Sequence, residues 1–315
     1  MNRVGAIDCG TNSIRLLIAD RDGERLRDIH REMRIVRLGA GIDATGEFTA
    51  EALARTRAAL IDYAELLAAH GVTMVRMVAT SAARDAANRE VFFAMTAEVL
   101  DAVVPGAVAE VITGEQEAEL SFRGAVGELD CAGEPFVVVD LGGGSTEIVL
   151  GDKAHGVSAS FSADIGCVRL TERCLHSDPP TGEEVAEARR VAREQLDGAL
   201  QVVPVERART WVGVAGTMTT LSALAQHMTT YNAAAIHLSR IGFDELFAVC
   251  EQLIGMTRTQ RATLGPMHPG RADVIGGGAI VVQELAHALG RRAGIEQLVV
   301  SEHDILDGIA LSIGD

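Results

Sequence analysis

Two stretches of the chain pair a carboxylate with a small-residue turn in the same pattern. Residues 5–20 read GAIDCGTNSIRLLIAD and residues 137–152 read VVVDLGGGSTEIVLGD; aligned without a gap, Asp8 falls on Asp140, Gly10 on Gly142 and Ser13 on Ser145. In each copy an apolar, β-favouring run ends on an aspartate, a turn follows, and a second apolar run returns. Turns of Gly10, Thr11, Asn12 and Ser13, and of Gly142, Gly143, Gly144 and Ser145, let backbone N–H groups approach an anion with little obstruction from Cβ atoms. The leading aspartate would repel phosphate, so it is better suited to a metal ion or to water bound to one. Two such hairpins facing each other across a cleft would grip a phosphate chain and its cation from both sides. A third anion-suited feature is GVAGTMTT, where a strand runs into a helix whose first amides, at Gly216 and Thr217, are unpaired within the helix.

The elements that must carry these residues follow from spacing. Residues 4–8 and 14–19 read as a hairpin, with a third strand over 26–38. Residues 49–72 have helical spacing at Leu53, Leu60, Tyr63, Leu66 and Leu67, open on Thr49 as N-cap and stop at Gly71. A strand over 74–80, a helix over 86–101, a strand over 109–113 and the helix EQEAELSFRGAV complete the first half. The second half repeats the plan: strand–turn–strand over 135–150, a strand over 156–164, a charged helix over 181–200, the strand–helix TWVGVAGTMTTLSAL, the glycine-led helix DVIGGGAIVVQELAHALG, the strand QLVVS and a closing helix from about Asp304. Strands alternating with helices, with a hairpin opening each half, predict an α/β protein with mixed sheets. The boundary is expected near 123–134, where RGAVGELDCAGEP breaks the pattern.

Bulk properties narrow the classes. At 315 residues the chain is long enough for two ordinary domains, and its 48% hydrophobic and 23% charged content is that of a globular protein. No apolar run approaches the ~18–20 residues of a membrane span, and RVGAIDCG does not resemble a secretory signal. Five cysteines, odd in number and without CxxC, argue against a disulfide framework and for a cytoplasmic setting. The nine histidines show no ligand spacing, and EHD at 302–304 reads as a structural cap rather than a metal pair. A net charge of −16 excludes broad electrostatic binding of nucleic acid; a phosphorylated ligand must be held locally.

The paired hairpins resemble the actin/Hsp70/sugar-kinase superfamily. Within it, AIDCGTNSIRLLIA, VATSAARDAAN, VITGEQEAELSF, VVVDLGGGSTEIVLG, IGCVRLTE, GVAGTMTTLSAL and GRADVIGGGAI are similar, in order and over essentially the whole chain, to the signature blocks of the exopolyphosphatase/guanosine pentaphosphate phosphatase family. The resemblance implies two actin-like (ribonuclease H-like) domains with mixed five-stranded sheets flanking a central cleft. These domains would span 1–125 and 126–303, with a closing helix over 304–315 that packs back on the first. It implies hydrolysis of terminal phosphoanhydride bonds of inorganic polyphosphate with Mg²⁺ or Mn²⁺. Glu117 matches the catalytic glutamate that deprotonates water, and Arg84 the phosphate-binding arginine. Asp8, Asp140 and Glu147 match metal- and water-binding positions, and the two turns match the phosphate loops. Guanosine pentaphosphate is the alternative substrate, and a homodimer the implied assembly. Longer relatives carry a further helical domain, so this two-domain form is expected to prefer short chains.

Other readings of the same residues stand beside these. Glu117 could be a solvated helix charge beside Glu115 and Glu119, and Arg84 could pair with Asp85 or Glu90. The run IGGGAI (275–280) is similar to the glycine turn that holds adenosine in actin-like kinases, which keeps an ATP-dependent kinase or ATPase open; no acceptor-substrate motif accompanies it.

Overall fold

The computed structural model describes residues 2–314 and divides into two compact units, Met1–Gly124 with Ile305–Asp315, and Ala125–Asp304. In the first unit, β1 (Asn2–Cys9), β2 (Ser13–Asp22), β3 (Arg25–Ile35), β4 (Met74–Ala79) and β5 (Ala109–Val111) form one sheet in the order β3-β2-β1-β4-β5. β1, β2 and β3 are antiparallel neighbours; β4 joins β1, and β5 joins β4, in parallel. The apolar runs of β1 and β2 do not alternate with polar residues because both faces are covered. Ile7, Cys9, Ile14, Leu16 and Ile18 pack with Leu60, Tyr63 and Leu67 of the helix Ala50–Ala69. From the other face, Val4, Ala6, Leu17 and Ala19 pack against Ile305, Leu306 and Ile309 of the closing helix Ile305–Ser312.

Local signals end the elements where expected. The Thr49 side chain accepts a hydrogen bond from the Ala52 N–H, satisfying one orphan amide of the helix Ala50–Ala69. Gly71, at φ +65°, turns the chain out of it. The helix expected over 86–101 spans Arg89–Leu100, and a separate short helix, Ser81–Asp85, precedes it, with Ala86 extended between the two.

In the second unit, β6 (Phe136–Leu141), β7 (Thr146–Asp152), β8 (Gly156–Ala163), β9 (Thr210–Val214), β10 (Ser239–Gly242) and β11 (Gln297–Val300) form a sheet in the order β10-β11-β9-β6-β7-β8. The mixed α/β class holds, but the second sheet has six strands rather than the expected five. The addition is β10, a four-residue antiparallel edge strand beside β11. SRIG is too short to show a period, which hides it in the sequence. Trp211 on β9 is fully buried in this unit's core, edge-on to Phe243. The long helix Gly182–Val202 opens with a capping box between Thr181 and Glu184.

Candidate functional site

The two hairpins are the same object at the level of individual bonds. The Gly10 N–H donates to the Ser13 carbonyl at 3.0 Å, and the Gly142 N–H to the Ser145 carbonyl at 3.1 Å. Strand register places Asp8 opposite Arg15 on β1–β2 and Asp140 opposite Glu147 on β6–β7, equivalent positions of the repeat. The backbone is repeated, but the charge at this cross-strand pair is not.

In the first hairpin the pair is an ion pair. Arg15 Nε and Nη2 both donate to Asp8 Oδ2, at 2.9 and 2.7 Å, and Asp8 is buried. Asp8 is therefore charge-compensated by a side chain of its own hairpin. In the second hairpin two carboxylates oppose each other, Asp140 at 6% exposure and Glu147 at 1%. Opposing cross-strand residues bring their Cβ atoms to about 4.5–5.5 Å, a spacing at which like charges repel. Ser162 Oγ donates to Glu147 Oε1 at 2.7 Å. Two buried hard-oxygen donors held side by side fit a divalent cation such as Mg²⁺ or Mn²⁺.

The second loop is fixed from behind. Carbonyls of Gly142 and Gly143 accept from the N–H groups of Cys167, Val168 and Arg169 at 2.9–3.1 Å, at the start of the helix Cys167–Cys174. The loop backbone sits so close to Gly166 that a Cβ there would meet Gly143. Burial pushes the Cys167 thiol up to about 11, so no nucleophilic thiolate is offered beside the loop.

Glu117 and Arg84 meet in the first unit. Thr113 caps the helix Gly114–Val126: its N–H donates to Gln116 Oε1 at 2.9 Å and its Oγ1 accepts from the Gln116 N–H at 3.2 Å. That cap sets Glu117 on the first helical turn, 7% exposed, where the helix dipole favours an ionised carboxylate. Arg84 Nη1 donates to Glu117 Oε2 at 2.6 Å and to the Ile112 carbonyl at 3.1 Å. Arg84 therefore pairs with Glu117, and Glu117 is not a solvated surface charge.

At the helix Ala215–Ala225, Ala215 takes φ +71°, an uncommon conformation for a residue with a Cβ. Arg271 lies over Gly216, where a Cβ would collide with its guanidinium, and Arg271 Nη1 donates to the Gly216 carbonyl at 3.2 Å. Thr217 is buried beside it. Arg271 and Arg15 are the cationic groups that motif reading passed over. Counting cross-strand partners in the first hairpin would have found Arg15; Arg271 lies in GRADV and reaches Gly216 only through the tertiary fold.

The glycines of IGGGAI serve packing. They are buried within the helix Ile275–Ala293; a Cβ on Gly276 would lie 2.8 Å from Arg261 Nη2, and one on Gly278 2.7 Å from Thr217 Cγ2. Side chains occupy the space beside this run. Two histidines dispersed in sequence, His237 and His303, come together beside Glu128.

Duplicated hairpins opening mixed sheets, one with the Arg15–Asp8 ion pair and the other with two opposed carboxylates, and Arg271 at the anion-suited helix start at Gly216 are the parts of a phosphate-handling α/β protein. A family comparison agrees: residues 17–313 match the Ppx/GppA phosphatase family, and the chain belongs to it. It is 73% identical to Exopolyphosphatase 2 of Mycobacterium tuberculosis over 99% of both chains. It is 30% identical to the Bifunctional 3-dehydroquinate synthase/phosphatase of Fusobacterium nucleatum, across 97% of this chain and 46% of that one. A solved exopolyphosphatase-like protein superposes with a TM-score of 0.93 at 41% identity, covering 98% of each chain. The exopolyphosphatase of Cytophaga hutchinsonii gives 0.83 at 28%, covering 98% and 96%.

Proposed function

We propose that this chain is an exopolyphosphatase that releases terminal orthophosphate from inorganic polyphosphate, preferring short chains. The observation that carries this reading is the buried Glu117 carboxylate hydrogen-bonded to Arg84 on the first turn of its helix. Its full-length likeness to Exopolyphosphatase 2 supports the choice of substrate.

Phosphoryl transfer asks a protein for in-line positioning, charge neutralisation and an oriented nucleophile rather than covalent help. Glu117 accepts the proton of the attacking water through its carboxylate. Arg84 holds that carboxylate in place and presents its guanidinium to the phosphate under attack. Backbone amides of Gly10–Ser13, Gly142–Ser145 and Gly216–Thr217 donate to substrate oxygens, with Arg271 beside the last of these. Asp140 and Glu147 would hold a divalent cation, Mg²⁺ or Mn²⁺, which when bound would neutralise phosphate charge. Asp8, engaged by Arg15, serves this hairpin as an orienting group and not as the main ligand.

The reading includes a cytoplasmic location, which five free cysteines support, and a homodimer, which the family resemblance supports. A nucleotide kinase is less well supported, because Arg261, Thr171 and Thr217 fill the space beside Gly276, Gly277 and Gly278. The test is orthophosphate release by purified protein with Mg²⁺ from tripolyphosphate, long polyphosphate, ATP and guanosine pentaphosphate. Tripolyphosphate should give the highest kcat/KM per chain end. Preferential turnover of guanosine pentaphosphate or ATP would replace polyphosphate as the substrate.

A further inference from the structure

Glu128, His237 and His303 belong to three distant parts of the second unit, yet their ligand atoms lie within 4.8 Å of one another. His237 Nε2 is 3.2 Å from Glu128 Oε2, and His303 Nδ1 is 3.7 Å from Glu128 Oε1. Their imidazole centroids are 4.4 Å apart, tilted by 41°. Tetrahedral zinc with bonds of about 2.0–2.2 Å separates its ligand atoms by roughly 3.4 Å, so the two carboxylate–imidazole distances bracket the required spacing.

We propose that these three residues form a transition-metal site of the zinc class, separate from the hard-oxygen pair Asp140–Glu147. Two imidazoles and one carboxylate select Zn²⁺ or Co²⁺ over Mg²⁺, which prefers oxygen ligands and its own water. Three protein ligands leave coordination positions for water, and the exposed Glu128 carboxylate and partly exposed His303 give the ion an entry path. The backbone already orients one ligand: the Glu302 N–H donates to His237 Nδ1 at 3.2 Å, which places the ring proton on Nε2, toward Glu128. Loading the ion at Nε2 moves that proton to Nδ1 and gives up the Glu302 contact, with no net proton released. That exchange makes the site weaker than a closed structural zinc site.

Placement in the chain gives the site a purpose. Glu128 lies just after the chain enters the second unit at Ala125, and His303 just before it leaves at Asp304. An ion would tie the first and last segments of this unit to each other and to His237 between them, closing a long loop of chain.

The experiment uses full-length protein stripped with chelator and held in excess Mg²⁺, titrated with Co²⁺ and then Zn²⁺. One equivalent of Co²⁺ should produce visible d–d absorption, bleached by one equivalent of Zn²⁺, and Zn²⁺ should raise the Tm. His303→Ala should abolish the absorption and weaken binding by at least about 10-fold, as should His237→Ala; Glu128→Gln should weaken it by about 10–100-fold. Because His237 also bonds backbone, His303→Ala carries the decision if His237→Ala melts early in chelator. Absence of the absorption in wild type, or the same spectrum and stoichiometry in His303→Ala, overturns the proposal.

Discussion

Arg84 Nη1 lies 2.6 Å from Glu117 Oε2, joining the expected phosphate ligand to the expected base within one unit. A charge-assisted bond of this length holds the carboxylate rotamer and keeps its oxygens directed. Glu117→Gln retains size and an acceptor for Arg84 but removes the basic oxygen. The expected outcome is a fall in kcat of about 10²–10⁴-fold with little change in KM. Steady-state phosphate release checks this, and a variant keeping more than half the activity would remove Glu117 from the role.

The opposed carboxylates of the second hairpin carry the cation prediction. Asp140→Asn or Glu147→Gln should raise the Mg²⁺ concentration needed for half-maximal activity, while Asp8→Asn should raise it less, because Arg15 already compensates Asp8. Activity titrated against free Mg²⁺ reads the order directly. Full activity in excess chelator would contradict the assignment.

Much of this site is visible in the sequence, for a physical reason. A β-hairpin is local, so the repeat fixes both turns and both aspartates, and the Gly10–Ser13 and Gly142–Ser145 bonds follow from it. The helix carrying Glu117 is local too, set by Thr113 and Gln116. Contacts between distant segments are not legible this way: Arg84 to Glu117, Arg271 to Gly216, and His303 to Glu128. The glycines of IGGGAI mislead for the same reason, since glycine marks close approach without saying whether a ligand or Arg261 approaches.

The closing helix yields a paired stability prediction. A Cβ on Gly308 would collide with the Leu120 carbonyl, on the helix that carries Glu117. Gly308→Ala should cost about 1–3 kcal/mol and lower the Tm by several degrees. Gly198, exposed in the helix Gly182–Val202 with open space around it, is the control: Gly198→Ala should stabilise by about 0.5–1 kcal/mol. Thermal unfolding of both variants checks the contrast.

Glu284 sets a pH dependence. Burial alone would raise its carboxyl, but hydrogen bonds from Arg193 at 2.7 Å and Arg189 at 3.1 Å hold it below the usual carboxylate range. A carboxylate depressed in the folded state stabilises above its unfolded value, and that contribution fades as pH falls through the folded one. Glu284→Gln should therefore cost about 1.5–3 kcal/mol at pH 7, with the gap from wild type narrowing below about pH 4. Urea unfolding at several pH values measures it; a gap that widens on acidification would reverse the sign.

Exopolyphosphatase chemistry as proposed requires water to attack the terminal phosphorus of a polyphosphate chain. It is tested most directly by turning over tripolyphosphate with Mg²⁺ in ¹⁸O-enriched water and weighing both products. Attack at the terminal phosphorus puts one solvent oxygen into each released orthophosphate and none into the pyrophosphate left behind. Label in the pyrophosphate, or no orthophosphate at all, would contradict the account.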